Sequence, residues 1–469
     1  MRRRTKIVAT VGPASREPDQ LRSILQAGVD VVRLNFAHGE AQGHRAVTAE
    51  VRAAASELGR PVGILVDLPG PKMRTRDFAG DSVSLSSGTD FVLDTRAEDG
   101  DARRVATSVP DLASLVSVGD EIYLADGEVV LRVEAAARDE VRTTVVRGGT
   151  VRSRKGMHLP KAERQVEAFT PQDREAMKVA VELGADMVGL SFVRDATDLK
   201  RAREALPADS SSPQLVAKIE TASSIEHLDE IIDEADAVMV ARGDLGIQTP
   251  LRRVPLLQKQ IIRSCNLAGK PVITATEMLE SMTEDPLPSR AEVNDVANAV
   301  FDGTDALMLS EETAVGRYPT EAVATMAAVA RTAEERQPTQ HLTMAPSDRD
   351  GDPVAWAVAH AAVQAAGDLD AEAILCVTQS GSTARRVAAY RPRQTVAGLA
   401  ETPDCFGGLT LVWGVVPLNL PPGAEGLVQR VLRAALEGGV VKRGDLAIVV
   451  AGTPGPRAGA TDYLRIVRA

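Results

Sequence analysis

The sequence predicts an α/β protein built on a (β/α)8 TIM barrel, with an inserted β-domain and a separate α/β domain at the C-terminal end. Three observations predict it. Eight short β-rich runs alternate with amphipathic stretches. One gap between runs is far too long for a single helix and itself reads as strands. A polar segment after residue 337 is followed by a second strand–helix alternation.

The first run, "KIVATVG" (6–12), follows a basic start that lacks a long apolar segment, so the start reads as leading into a strand rather than as a secretion signal. "DVVRLNFAHG" (30–39) and "VGILVDLPG" (62–70) come next. About 115 residues then precede the fourth run, "DMVGLSFVR" (186–194). Inside that gap "DSVSLSSGTDFVLDT", "DEIYLADGEVVLRVEA" and "DEVRTTVVRGGTV" alternate as strands do, between Gly and Asp turns. Residues 75–157 are therefore expected to form a small inserted β-domain. The remaining runs are "QLVAKIE" (214–220), "AVMVARGDLG" (237–246), "PVITATEML" (271–279) and "ALMLSEETA" (306–314). The intervening stretches, such as "PQDREAMKVAVELG", repeat apolar residues three and four apart. The barrel is thus read over 1–74 and 158–337. "QPTQHLTMAPSDRDGDP" is a linker rich in turn formers, and 350–469 form the C-terminal α/β domain.

A chain of 469 residues exceeds one ordinary core. With 44% hydrophobic and 25% charged residues the composition is that of a soluble globular protein, and a net charge of -11 argues against a general nucleic-acid binder. No apolar run approaches the roughly 20 residues needed to cross a membrane. Cys265, Cys376 and Cys405 are widely spaced and form no metal-binding pairs, which fits a reducing, cytoplasmic setting.

In such a barrel the C-terminal strand ends share one mouth, where active sites sit. Those ends supply Arg33 and Asn35, then Asp67, Lys72 and Arg74, then Lys218 and Glu220, Arg242 and Asp244, Thr276 and Ser310. Lys218 and Glu220 are two apart and so face the same way. Glu220 and Asp244, on adjacent strands, can offer carboxylate oxygens to one divalent ion, an arrangement that suits Mg²⁺. Cations gathered around two carboxylates imply a highly anionic ligand, for which phosphate is the natural candidate. A network of ion pairs closing the barrel top is the alternative. Gly243 leaves backbone N–H groups beside the metal open to an anion. Thr276 and Ser310 add two hydroxyls; either could instead cap the helix that follows. His38 could be a base or make a helix-start hydrogen bond. In the C-terminal domain "TQSGST" follows a strand and opens a helix. There Thr378, Ser380, Ser382 and Thr383 could cradle a phosphate or serve only as a helix cap.

These residues sit in motifs that resemble the pyruvate kinases over nearly the full length. They include "TKIVATVGPAS", "VVRLNFAHG", "DLPGPKMRT", "LADG", "AKIE", "VARGDLGI", "GKPVITATEMLESM", "PSRAEVNDVANAVFDGTDALMLSEETAVGRYP" and "SGSTARRVAAYRPR". The resemblance implies a barrel, a small β-barrel lid inserted after the third strand, and a C-terminal regulatory domain. It implies phosphoryl transfer from phosphoenolpyruvate to ADP, giving pyruvate and ATP. Glu220 and Asp244 would hold Mg²⁺ or Mn²⁺, and Lys218 would lie beside the moving phosphoryl with Arg33 on the same phosphate. The Gly243 and Asp244 amides with the Thr276 hydroxyl would receive the substrate carboxylate. Thr276, Ser310 and water would carry a proton to the enolate carbon. Asn35, His38 and Arg74 match positions near the nucleotide phosphates, and Asp126 and Lys155 match lid residues that meet the nucleotide. The Thr378–Thr383 loop would take a phosphorylated allosteric effector, and the assembly would be a homotetramer.

Four departures from the family pattern stand out. Ala37 replaces a usual Ser and Leu68 a Thr of one large branch, and both replaced residues supply oxygen to K⁺ in that branch. Lys72 stands where that branch has Glu and the family's other branch has Lys, and its ammonium would substitute for the monovalent cation, so little dependence on K⁺ is expected. Glu277 replaces a usual Gln, and Glu311 a usual Gly. Two rival readings remain: an Mg²⁺-dependent lyase or aldolase acting on pyruvate-like substrates, and a metabolite-binding paralogue that has lost catalysis.

Overall fold

The computed structural model of the chain describes residues 3–95, 99–125, 127–160, 166–208, 212–336, 352–452 and 461–469. All eight expected runs contain a strand, and the eight close into one parallel barrel. In chain order the strands are Lys6–Thr10, Val31–Asn35, Gly63–Asp67, Met187–Leu190, Gln214–Ile219, Ala237–Ala241, Val272–Ala275 and Ala306–Leu309. The first pairs with both the second and the eighth, which closes the ring. Their near-continuous burial is what a parallel sheet covered on its outer face by helices requires.

Local signals set the helix ends. Pro171–Glu182 starts on a capping box between Thr170 and Asp173. Arg290–Asp302 starts on another between Ser289 and Glu292, and stops at Gly303, whose φ of 94° is left-handed.

Several strands are shorter than their apolar runs. The run 237–246 leaves the sheet after Ala241 and becomes the helix Arg242–Gln248; 306–314 leaves it after Leu309 and becomes Glu311–Ala314. Leu245 prolongs the apolar pattern, but it is buried from a helix rather than a strand. Asp244 and Ser310 consequently sit beyond the strand ends, whereas Arg33, Asp67 and Lys218 lie within their strands.

The insertion is a seven-stranded sheet with a two-stranded ribbon, Ser82–Leu85 with Gly149–Arg152. Its outermost strands are Met73–Arg74 and Arg104–Ala106, and an isolated antiparallel bridge, Thr75 to Thr107, joins them. Hydrogen bonds from the Arg76 amide to the Ala106 carbonyl and from the Ser108 amide to the Arg74 carbonyl reinforce the join, so the sheet wraps onto itself around Phe91, Leu93, Ile122 and Leu131. The two crossings between insertion and barrel pair with each other, Met157 opposite Met73 and Gly156 opposite Arg74.

The C-terminal domain is a five-stranded sheet in the order Val415–Asn419, Thr395–Ala400, Ala373–Val377, Leu446–Ala451 and Tyr463–Arg468, the last antiparallel. It closes the bottom of the barrel. Leu411 joins the cluster formed by inward-facing strand residues such as Val8, Leu65, Met239 and Met308. Beside it Arg391 makes a bidentate ion pair with Asp305, the residue just before the eighth strand.

Candidate active site

The centre of the mouth is a buried charge cluster. Lys218 Nζ lies 2.9 Å from Glu220 Oε1 and 3.1 Å from Asp67 Oδ1, and donates to Ser191 Oγ at 2.8 Å. Ser191 in turn donates to the Leu68 carbonyl at 2.8 Å, so the ends of three neighbouring strands, the third to the fifth, fix one ammonium. Arg33 reaches the same Asp67 from the other side, its Nε donating to Oδ2 at 2.8 Å while Nη1 donates to Thr10 Oγ1 at 3.0 Å. Glu220 Oε2 accepts from the Phe192 amide at 2.7 Å, with Phe192 held at a φ of 55°. A bulky residue in that region is strained, and such strain gathers at functional sites.

Electrostatics follow from this geometry. Burial alone would lower the Lys218 pKa, but the Asp67 and Glu220 carboxylates reverse the effect and hold it raised. Burial works to raise the Asp67 carboxyl, yet Lys218 and Arg33 bring it down to about 2. Burial pushes Glu220 up; Lys218 opposes that and the Asp244 carboxylate adds to it. A divalent cation shared by Glu220 and Asp244 would remove that repulsion. Among the described residues no group of three or more His, Cys, Asp or Glu side chains could hold a metal. Two protein carboxylates, with the remaining positions left to substrate and water, is the donor set Mg²⁺ favours.

Asp244 lies in the first turn of Arg242–Gln248 and is partly exposed. Arg242 does not enter the site. Its Nη1 donates to Asp295 at 2.7 Å and its Nε to the Ala275 carbonyl at 3.1 Å, bracing the loop after the seventh strand. On that loop Thr276 and Glu277 have φ values of 67° and 52°. The Thr276 hydroxyl accepts from the Gly243 amide at 2.9 Å, so this amide is engaged rather than open as expected from sequence. Ser310 is held by Glu312, whose buried carboxylate accepts from the Ser310 amide at 2.7 Å and the Leu279 amide at 3.0 Å.

A cleft of about 190 Å³ separates this mouth from the lid, lined by Lys72, Arg74, Lys155, His158, Phe192 and Asp244. Burial lowers the Lys72 ammonium and Lys218 adds to that, while Asp67, Glu220 and Asp244 raise it, so its charge sits within reach of the central cluster. Burial and the neighbouring Arg74, Lys72 and Arg33 lower the His38 pKa. Asn35 Oδ1 accepts from the Ala37 amide at 3.1 Å. Asp126 lies outside the described residues.

In the C-terminal domain, Thr378 and Ser380 line a cleft of about 1260 Å³ facing the barrel. Ser380 bonds Ser382 at 3.2 Å across Gly381, whose φ is 83°. Thr383 points inward instead, bonded to Thr461 at 2.7 Å.

Ser191, Phe192, His158 and Thr10 belong to the site's framework but carry no role in the sequence reading. For Ser191 the signal existed: it is the polar residue closing the fourth strand run, "VGLSFVR".

Glu277 and Glu311 feed an acidic patch next to the mouth. Burial raises the Glu280 carboxyl to about 7, with Glu312, Glu311, Glu277 and Glu292 adding to it. A folded-state value above the ordinary 4.5 means the folded form takes up a proton, so stability is whole below about 4.5 and declines as pH rises through about 7. Glu280→Gln should therefore raise the melting temperature more at about pH 8 than at about pH 5. An equal gain at both values would remove the attribution.

A barrel mouth that gathers carboxylates and cations beneath an inserted lid defines an enzyme acting on an anionic ligand. Residues 2–323 match the family described as "Pyruvate kinase, barrel domain", and residues 356–467 match "Pyruvate kinase, alpha/beta domain". The pyruvate kinase of Thermococcus litoralis is 40% identical over 468 residues, covering 99% of this chain and 98% of that protein. That of Mycobacterium tuberculosis is 40% identical over 471 residues, covering 100% and 99%. That of Geobacillus stearothermophilus is 40% identical over 475 residues, covering 99% and 80%. The chain belongs to the pyruvate kinase family and is a phosphotransferase. Among the described residues no helix is long and apolar enough to cross a membrane.

Proposed function

We propose that this chain catalyses Mg²⁺-dependent transfer of the phosphoryl group of phosphoenolpyruvate to ADP, with little dependence on K⁺. The observation that carries the reading is the Lys218 ammonium, locked among Ser191, Asp67 and Glu220 at the centre of the mouth. Glu220 and Asp244 hold the divalent ion, for which Mn²⁺ also fits; bound there it supplies positive charge to the phosphoryl oxygens. Lys218 and Arg33 hold the same phosphoryl group. The bond from phosphorus to the enol oxygen breaks, and a bond to a β-phosphate oxygen of ADP forms. Charge moves during that exchange, and a preorganised cation stabilises it without having to reorient. Thr276 and the amides of Gly243 and Asp244 receive the substrate carboxylate, with the Gly243 amide exchanging its Thr276 partner for the ligand. The enolate left behind takes a proton at its terminal carbon, carried by Thr276, Ser310 and water.

Asn35, His38, Arg74, Asp126 and Lys155 serve the nucleotide phosphates, and closure of the 75–157 lid over the barrel of 1–74 and 158–337 keeps water from the phosphoryl group. Lys72 takes the place of a monovalent cation. The 350–469 domain binds a phosphorylated effector at the turn carrying Thr378, Ser380 and Ser382, with Thr383 supporting the turn from inside. A cytoplasmic homotetramer is the assembly and setting that accord with this reading.

A coupled pyruvate assay with phosphoenolpyruvate, ADP and Mg²⁺, with and without K⁺, tests it. Equal pyruvate formation in both arms is expected. A strict K⁺ requirement removes the Lys72 assignment. No pyruvate in either arm, with phosphoenolpyruvate still bound, would leave a metabolite-binding paralogue.

A further inference from the structure

Two contacts between lid and mouth fall on one short helix, Arg242–Gln248, which carries Asp244. At the turn after Leu124, a Cβ built on Gly127 would lie 3.7 Å from the Ile247 side chain, so the lid comes close to that helix. At the hinge, His158 ends the strand Gly156–His158, paired opposite Tyr123, and places its Nε2 4.0 Å from Asp244 Oδ1. The imidazole is 10% exposed where the carboxylate is 36% exposed, so the ring is packed and the acid is left facing the cleft. A further neighbour is Phe192, with ring centroids 6.5 Å apart, whose amide holds Glu220. One histidine at the hinge between lid and barrel thus stands beside Asp244 and beside the residue whose amide holds Glu220.

A separation of 4.0 Å is about 1 Å beyond a hydrogen bond, a gap that a small rotation about the paired hinge strands closes. We propose that His158 is a positioning residue through which lid closure orients Asp244. Closed, its Nε2–H donates to Oδ1 and leaves Oδ2 directed at the cation. Histidines and carboxylates that hold ligands from behind act in this way in metal sites, and their loss typically costs about 10-fold or more in affinity. The proposal rests on Asp244 being a metal ligand, as above. It adds that the grip on the metal tightens when the lid closes. By linkage, phosphoenolpyruvate and the metal must then strengthen each other by one common factor.

The test is the Mn²⁺ dissociation constant of the full chain, read by electron paramagnetic resonance with and without phosphoenolpyruvate. His158→Phe keeps a ring against Phe192 and removes the donor. It should lose about 10-fold of the tightening produced by phosphoenolpyruvate, with Mn²⁺ affinity in its absence changed less than about 2-fold. His158→Asn, whose amide can donate to the same oxygen, should recover most of the loss. Full tightening in His158→Phe, or an Asn variant no better than the Phe variant, overturns the proposal. Asp244→Asn binding Mn²⁺ as the wild type does would instead remove the ligand reading beneath it.

Discussion

Lys218→Met should lower kcat by about 10²–10³-fold, or ~3–4 kcal/mol of transition-state stabilisation, in a protein that still folds. The ammonium is the only group among those described that contacts Asp67, Glu220 and Ser191 together. Methionine matches its length but returns no charge to the phosphoryl group at the moment charge moves. Asp67 Oδ1, buried without a hydrogen bond, loses its ion pair, so stability should fall, but the fold should survive because each carboxylate keeps donors on its other oxygen. Asp67 keeps both bonds to Arg33, and Glu220 keeps the Phe192 amide. Glu220 is already raised by burial and by Asp244, so loss of Lys218 raises it further and favours its protonated form. Metal affinity should accordingly fall along with turnover, and more Mg²⁺ should be needed near neutral pH. Steady-state kinetics across Mg²⁺ concentrations, with a thermal melt as control, measure both effects. Wild-type turnover from a folded variant would refute the role of Lys218.

The barrel was legible because its signal is repeated eight times and each strand is buried on both faces. Their apolar runs are nearly continuous and hard to mistake. The mouth was legible for a related reason: Arg33, Lys218, Glu220 and Asp244 interrupt or follow those runs toward their C-terminal ends. What sequence could not carry was direction. Arg242 follows its strand directly whereas Arg33 lies within the second, and Arg242 turns outward to Asp295 and the seventh loop because it opens a helix instead of continuing a strand. Thr383 shares the Ser/Thr pattern of its loop, but its place on the helix turns it toward Thr461. The Gly243 amide was expected to stand open, and only the unusual backbone at Thr276 brings a hydroxyl to it. The placement of His158 near Asp244 gave no signal at all, since it comes with a pairing to the lid strand Glu121–Leu124 and not from any neighbour in the chain.

Arg391→Met should destabilise the union of barrel and C-terminal domain by about 3–5 kcal/mol, the usual consequence of leaving a buried charge without its partner. The Arg391 and Asp305 side chains are only 5% and 7% exposed, so water can replace little of what is lost. Arg391 is also held in the left-handed region, at a φ of 50°, by bonds to Asp305, Asn266 and the Gly303 carbonyl. Asp305 accepts from the Val272 and Trp413 amides as well, tying the start of the seventh strand to the C-terminal domain. Asp305→Ala should therefore be at least as damaging, because two buried amides lose their acceptor together with the guanidinium. The double variant should cost less than the sum of the two, since no unpaired charge then remains. The two tryptophans can report the event directly. Trp413 lies under the Arg391 guanidinium at 5.0 Å, and a Cβ on Gly269 of the barrel would come within 2.9 Å of Trp356. Both rings lie along the junction, so tryptophan emission in a denaturant titration should follow separation of the domains. A midpoint for Arg391→Met equal to that of the wild type would mean that packing around Leu411, and not the ion pair, holds the junction closed.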